Sequence, residues 1–203
     1  MNQAKRIFDL FWTLPGIVLL LVPGLVIAAA VVIDDGWSPL YAQERVGLHG
    51  QSFKLLKFRS MRRDSDRTGS QLTVGNDSRV TRVGHVLRRT KLDELPQLLN
   101  VLHGDMSLVG PRPEVPEFVQ QYSLEQRDVL ELVPGITDPA SIKYADESDI
   151  LALQADPRDY YVTTIMPDKI RISIEYAKRA TMVSDFLVIT ETVLGRGRVS
   201  RGV

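Results

Sequence analysis

Two adjacent acids, Asp93-Glu94, follow directly on Arg88, Arg89 and Lys91. A carboxylate held among cations can act as a nucleophile, a general base or a metal ligand, and the cations can hold phosphate. The spacing predicts a helix that begins at about Asp93, where free backbone N–H groups and the positive end of the dipole favour an anion. Neighbouring helical residues diverge by about 100°, so the two acids face different partners. One can meet a substrate while the other positions a proton or a metal. On spacing alone, both could equally decorate a first helical turn. Downstream, Gly104-Asp105-Met106-Ser107-Leu108-Val109-Gly110-Pro111-Arg112-Pro113 sets Arg112 between two prolines. They stiffen its backbone and suit the guanidinium to bidentate phosphate recognition, although such a triplet is also a common rigid connector.

Charge is distributed unevenly around these residues. The chain has 203 residues with 25 bases and 25 acids, a formal net charge of zero, which excludes a uniformly basic nucleic-acid binder and an acidic tail. Residues 54–91, however, hold eleven bases and three acids, a net +8, whereas residues 1–53 carry −1 and residues 92–203 carry −7. Cysteine is absent, so disulfides, thiolate metal sites and thiol nucleophiles are excluded. His49, His85 and His103 share no metal spacing and read as surface or helix-end residues. No Gly-rich P-loop, Gly-x-Ser-x-Gly elbow or dinucleotide fingerprint occurs.

The elements that must position these residues can be read from periodicity. Tyr41–Arg45 and Ser52–Phe58 read as two strands around a Gly47-Leu48-His49-Gly50 turn. Arg63–Ser78 is polar and without period, and reads as a mobile loop. Val83, Val86 and Leu87 form a short helical face, and Leu92, Leu95, Leu98, Leu99 and Leu102 a longer one ending at Gly104, with Pro96 tolerable only in the first turn. Ser123–Gln126 has capping-box spacing before a helix that stops at Pro134-Gly135. Further helices are expected at about 167–180 and 184–195, with shorter ones between Glu147 and Tyr161. Tyr160, Tyr161 and Tyr176 read as packing residues.

Leu10–Ile33 is a run of 24 residues without a charge. As one helix it is about 36 Å long, enough for a hydrocarbon core of roughly 30 Å. Pro23 lies near its middle, removes a backbone donor and clashes with the preceding turn; Pro15-Gly16 is a weaker interruption. Each arm then reaches roughly half a bilayer, which fits a helix-break-helix that enters and leaves by one face. Lys5 and Arg6 favour a cytoplasmic N-terminus, so a full span would put the basic body outside. A kinked single span and a cleaved signal peptide are the alternatives. Trp12, Trp37 and Tyr41 could anchor at headgroup level. The boundaries expected are a membrane segment at 1–35 and a cytoplasmic catalytic domain at 36–203.

Lys57-Phe58-Arg59-Ser60-Met61, Leu92-Asp93-Glu94-Leu95-Pro96-Gln97-Leu98, Gly104-Asp105-Met106-Ser107 and Gly110-Pro111-Arg112-Pro113, in this order and with Pro134-Gly135-Ile136-Thr137 later, resemble the bacterial initiating sugar transferases, the monotopic phosphoglycosyl transferases. The likeness covers nearly the whole chain. It implies a mainly helical α+β fold, with a proline-broken re-entrant membrane helix, a short β-hairpin, amphipathic interfacial helices and a compact cytoplasmic catalytic body. It implies transfer of a sugar 1-phosphate from a UDP-sugar to polyprenyl (undecaprenyl) phosphate with release of UMP, the first membrane step of bacterial glycoconjugate and polysaccharide assembly. The resemblance makes Asp93 the nucleophile, forming a covalent phosphosugar intermediate, and Glu94 its partner, orienting the site or deprotonating the acceptor. Lys57, Arg59, Arg88 and Arg112 match basic positions that neutralise phosphate, and Mg²⁺ would sit on diphosphate oxygens with Asp93 as its protein ligand. The location implied is the bacterial inner (cytoplasmic) membrane, and a homo-oligomer is compatible with the chain. Two departures stand out. Asp138-Pro139-Ala140-Ser141-Ile142-Lys143 replaces the family's usual Gly continuation, which leaves the sugar open. Val22-Pro23 replaces the frequent Ser-Pro at the break.

The alternative from another class is a membrane-tethered protein that holds anionic lipid headgroups on its basic segment without catalysis. It leaves Asp93, Glu94 and the rigid Arg112 without a purpose. No nucleic-acid partner is expected, because Phe58 is the only aromatic in the basic stretch.

Overall fold

The computed structural model describes residues 2–63, 65, 72, 74, 75 and 77–195. Part of the expected 63–78 loop therefore lies outside the described residues. The chain opens with α1, Gln3–Asp35, whose N-cap Asn2 accepts from Ala4 N and which ends at Gly36. Pro15 and Pro23 both lie inside this helix, and Pro23 does not divide it into two arms as its chemistry led us to expect. Tertiary contacts on both sides of Pro23 offset the single lost hydrogen bond. A methyl group on Gly16 would meet Leu98, one on Gly24 would meet Phe58, and Val31 is buried with Phe58 and Leu87.

Both ends of α1 are fastened to the body. Arg6 donates to the carbonyls of Val101 and Leu102, the latter at 2.7 Å, and Lys5 bridges Asp9 at 2.7 Å and Asp185 at 3.1 Å. At the far end the Asp34 carboxylate accepts from Val83 N at 2.9 Å. The outward residues, including Phe11, Val18, Leu19, Val22 and Val26, remain exposed.

The predicted hairpin forms as β1, Leu40–Val46, and β2, Ser52–Phe58, antiparallel with Gln43 opposite Leu55 and Arg45 opposite Phe53. Alternation along β1 leaves Leu40, Ala42 and Glu44 exposed and turns Tyr41, Gln43 and Arg45 toward the body. Next comes α2, Arg82–Thr90, capped by Thr81, whose hydroxyl accepts from Gly84 N at 2.9 Å. Lys91 then adopts a left-handed conformation (φ 60°) and turns the chain into a tight 3-10 turn, Leu92–Glu94. The expected helix start at Asp93 is thus a 3-10 turn, and the α ladder begins only after Pro96, in α3, Gln97–His103. Proline lacks the N–H that would have extended the ladder backwards.

Ser107–Val109 forms β3 and pairs in parallel with β4, Gly135–Thr137, with Ser107 opposite Gly135 and Val109 opposite Thr137. Three-residue strands lie below the length at which periodicity speaks, and neither was anticipated. Ser123 and Gln126 make the expected reciprocal cap, followed by a 3-10 segment at Gln126–Glu131. Short helical turns at Glu147–Ala152 and Pro157–Tyr160 precede α4, Met166–Ala177, and α5, Met182–Leu194.

One core gathers Val115, Phe118, Val129, Leu151, Tyr161 and Ile165 beside α4; another joins Leu55 of β2 to Val101, Met106, Leu108 and Val188. Packing is tightest where glycines let backbones meet. A methyl group on Gly84 would lie 2.0 Å from Ser60 O, and one on Gly135 would lie 2.1 Å from Gly110 N.

Gly84→Ala and Gly135→Ala should each lower stability by about 3 kcal/mol. Gly16→Ala, whose nearest neighbour would be 3.8 Å away, should be neutral or mildly stabilising, because alanine suits a helix interior. Thermal unfolding in one detergent distinguishes them, and equal midpoints for all three would contradict the tight approach.

Candidate active site

The turn at Leu92–Glu94 follows α2 and packs Asp93 and Glu94 against α2 and β2. Asp93 is buried, and its Oδ1 has no hydrogen-bond partner. Burial first, and then the charge of Glu94, push its carboxyl above the ordinary carboxylate range, against the pull of Lys57, Arg88 and Arg112. Such a group is poised for a ligand that meets its free oxygen. Four residues on, Gln97 is 1% exposed and its Nε2 is likewise unpartnered.

Glu94 has a different environment. Burial opposes its ionisation, but Arg112, Lys57 and the hydrogen bonds from Arg112 outweigh that and hold its carboxyl at about 2. Arg112 donates from Nη2 to Oε1 at 2.5 Å and from Nη1 to Oε2 at 3.3 Å. Glu94 in turn raises the Arg112 guanidinium above its usual value. Arg112 was expected to grip phosphate with its fork, and its two terminal nitrogens are instead engaged by Glu94. A phosphate must share them.

Lys57 projects from β2 toward the same pair. Burial, and then the Arg112 charge, pull its ammonium down to about 7, with Glu94 opposing and Arg45 adding to the fall. Arg88 acts on Asp93 from α2 and is steadied by Nε donating to Ser60 Oγ at 3.0 Å. The fold thus brings together Lys57, Arg88, Asp93, Glu94 and Arg112. Arg59 is not among the largest charge effects on the two acids; it donates to Leu40 O at 3.4 Å, and its Nη1 is buried without a partner. Pro23 lies in α1, away from this group in the sequence and inside an unbroken helix.

Among the described residues no group of three His, Asp or Glu side chains is arranged to hold a metal. The unpartnered Asp93 oxygen is the donor that a cation carried in on a substrate's phosphates would meet. His49 and His103 pair with Glu131 and Asp105. Sequence reasoning missed Gln97 and Arg45. The position of Arg45 on the inward side of an alternating strand, and of Gln97 one turn beyond Asp93, were the available signals.

Comparison with known proteins adds the family. The bacterial sugar transferase family matches residues 1–196. A Bacillus subtilis (strain 168) protein, provisionally named an undecaprenyl-phosphate N-acetylgalactosaminyl 1-phosphate transferase, is 42% identical over 133 residues, 66% of this chain and 70% of that protein. The UDP-galactose-lipid carrier transferase of Erwinia amylovora is 43% identical over 148 residues, 66% of this chain and 31% of its own length. The UDP-N-acetylgalactosamine-undecaprenyl-phosphate N-acetylgalactosaminephosphotransferase of Aeromonas hydrophila is 40% identical over 147 residues, 68% of this chain and 34% of its own length. The match therefore spans about a third of the last two proteins.

Two shifted groups set a pH dependence. A phosphate beside Lys57 would be met by its ammonium form, which is lost as pH rises through about 7 in the free protein. The free Asp93 carboxylate is lost as pH falls through a value above the ordinary 3.8. If both groups act in turnover, the pH profile of kcat/KM should be a bell, and Lys57→Arg should carry the alkaline limb upward. An alkaline limb that stays put in Lys57→Arg would show that another group sets it.

Proposed function

The chain belongs to the bacterial sugar transferase family, and from that premise we propose that it moves a sugar 1-phosphate from a UDP-sugar to polyprenyl phosphate, releasing UMP. The observation that carries this reading is the buried Asp93 carboxylate with an unpartnered oxygen, ringed by Lys57, Arg88 and Arg112. An Asp93 oxygen attacks the β-phosphorus of the UDP-sugar. The bond from that phosphorus to the bridging oxygen breaks, UMP leaves with the oxygen, and the phosphosugar remains on Asp93 as an acyl phosphate. An oxygen of polyprenyl phosphate then attacks the same phosphorus, the bond from that phosphorus to the Asp93 oxygen breaks, and the free carboxylate returns. Lys57, Arg88 and Arg112 neutralise charge on the transferring phosphoryl group. Asp93 would hold Mg²⁺, which when bound would supply further charge neutralisation.

Of the two roles open to Glu94, orientation is the better supported. A carboxyl held at about 2 by Arg112 is a weak base. A phosphate monoester acceptor, with a second pKa near 6, is already mostly dianionic at neutral pH. Glu94 then acts by fixing Arg112 at the edge of the site.

The exposed apolar side of α1 is read as a surface buried in one leaflet, with both ends of the helix on the cytoplasmic face. Both of its ends are tied to one body, which supports attachment from one face over a span. The exposed Met182, Val183, Phe186 and Leu187 of α5 extend that surface beside Trp12, whose ring lies 5.5 Å from Phe186. Lipid-headgroup binding without catalysis would account for the exposed bases, but not for the buried carboxylate or its paired neighbour.

Asp93→Asn should reduce UMP release by about 1,000-fold or more, and wild-type enzyme quenched with a UDP-sugar should carry the phosphosugar mass on Asp93. Near-normal release from Asp93→Asn would sink the mechanism. For topology, the absence of native cysteine allows Asn2→Cys and Ser38→Cys to be labelled without background. Both should react only after the inner membrane is opened; one reacting in intact spheroplasts would establish a span.

A further inference from the structure

The backbone that carries Arg112 is held from both sides. Gly135 N donates to Pro111 O at 2.9 Å, and Gly110 N donates to Thr137 O at 3.0 Å. Beyond Arg112, Arg45 Nη1 donates to Pro113 O at 3.1 Å and to Glu114 Oε1 at 3.2 Å. Val46 N donates to Glu114 O at 2.9 Å, and the Tyr161 hydroxyl donates to Glu114 Oε2. The other face of the Arg45 guanidinium is occupied by Gln43, whose Oε1 accepts from Nη2 at 2.8 Å and Nε at 3.2 Å. Four of the five N–H donors of Arg45 thus go to Gln43, Pro113 and Glu114, and none of these four reaches Asp93 or Glu94. Tyr161 is anchored in the core, its ring 5.0 Å from that of Phe118.

We infer that Arg45, Glu114 and Tyr161 form a clamp that positions Arg112, and through it Glu94, for the transfer at Asp93. The inference rests on the proposed reaction. A stiff Pro-Arg-Pro backbone fixes the conformation of Arg112 relative to its own neighbours, but not its place relative to Asp93, which lies on another element. The clamp supplies that second constraint by joining the segment after Arg112 to β1, the partner strand of the one that carries Lys57. Arg45 and Tyr161 are positioning residues, since neither has a hydrogen bond or ion pair to Asp93 or Glu94. Buried groups suit this task, because an ion pair shielded from water keeps its geometry.

The test is the first half-reaction alone: full-length protein in detergent with Mg²⁺ and a UDP-sugar but no acceptor, monitoring UMP. Wild type should release one UMP per enzyme in an exponential burst. Arg45→Met should slow the burst rate constant about tenfold or more, as a misplaced catalytic group would, with the amplitude preserved. Tyr161→Phe, which keeps the ring and removes one hydrogen bond, should slow it about threefold, and decides the matter where Arg45→Met fails to fold. A merely structural role would lower the amplitude and leave the rate constant alone. An unchanged rate constant in Tyr161→Phe, together with one unchanged or unmeasurable in Arg45→Met, would overturn the clamp while the reaction stands. Absence of a burst in wild type would overturn the reaction and the clamp with it.

Discussion

A carboxylate taken out of water costs several kcal/mol unless a cation and hydrogen bonds meet it, and Glu94 is met by Arg112 through two. The partners come from different parts of the molecule. Glu94 stands on a turn packed against β2, whereas Arg112 lies on the segment that runs from β3 to Val115 and Phe118 in the core beside α4. Their pair is the bond between those parts. Breaking it from one side would leave a buried charge uncompensated, a loss of about 3–5 kcal/mol. The same pair frees Asp93 from competition. With Glu94 claimed by Arg112, the remaining carboxylate is the one whose oxygen stays unpartnered.

Burial works on the site in opposite directions. It raises the Asp93 carboxyl and lowers the Lys57 ammonium, so two groups of opposite sign both move toward neutrality in the empty protein. A polyanion placed beside Lys57 would favour its ammonium form, and a cation beside Asp93 its carboxylate. The zero net charge of the chain conceals this arrangement, because the basic segment between residues 54 and 91 faces acids that arrive from residue 93 onward.

Much of this was legible in the sequence. The hairpin showed itself by strand composition around a glycine-rich turn, α2 by Val83, Val86 and Leu87, and the acid pair by its charge context. The parallel pairing of β3 with β4 did not, since three-residue strands separated by more than twenty residues leave no period to read. Arg45 was unremarkable until the pleat of β1 turned it inward beneath Pro113. Pro23 was legible as a chemical irregularity, but its outcome was set by contacts of α1 with Leu98, Phe58 and Leu87, which no local rule contains. Arg112 stood out between its two prolines; what it grips depended on Glu94, eighteen residues away in sequence and adjacent in space.

The guanidinium of Arg6 terminates α3. The carbonyls of Val101 and Leu102 belong to the last turn of that helix, where no intrahelical donor remains, and a residue of the hydrophobic anchor supplies the donors instead. The helix that follows the acid pair is therefore completed by the segment that also serves as the attachment. A fragment that begins after α1 would therefore lack the donors that close α3, and with them part of the scaffold on which the acid pair stands.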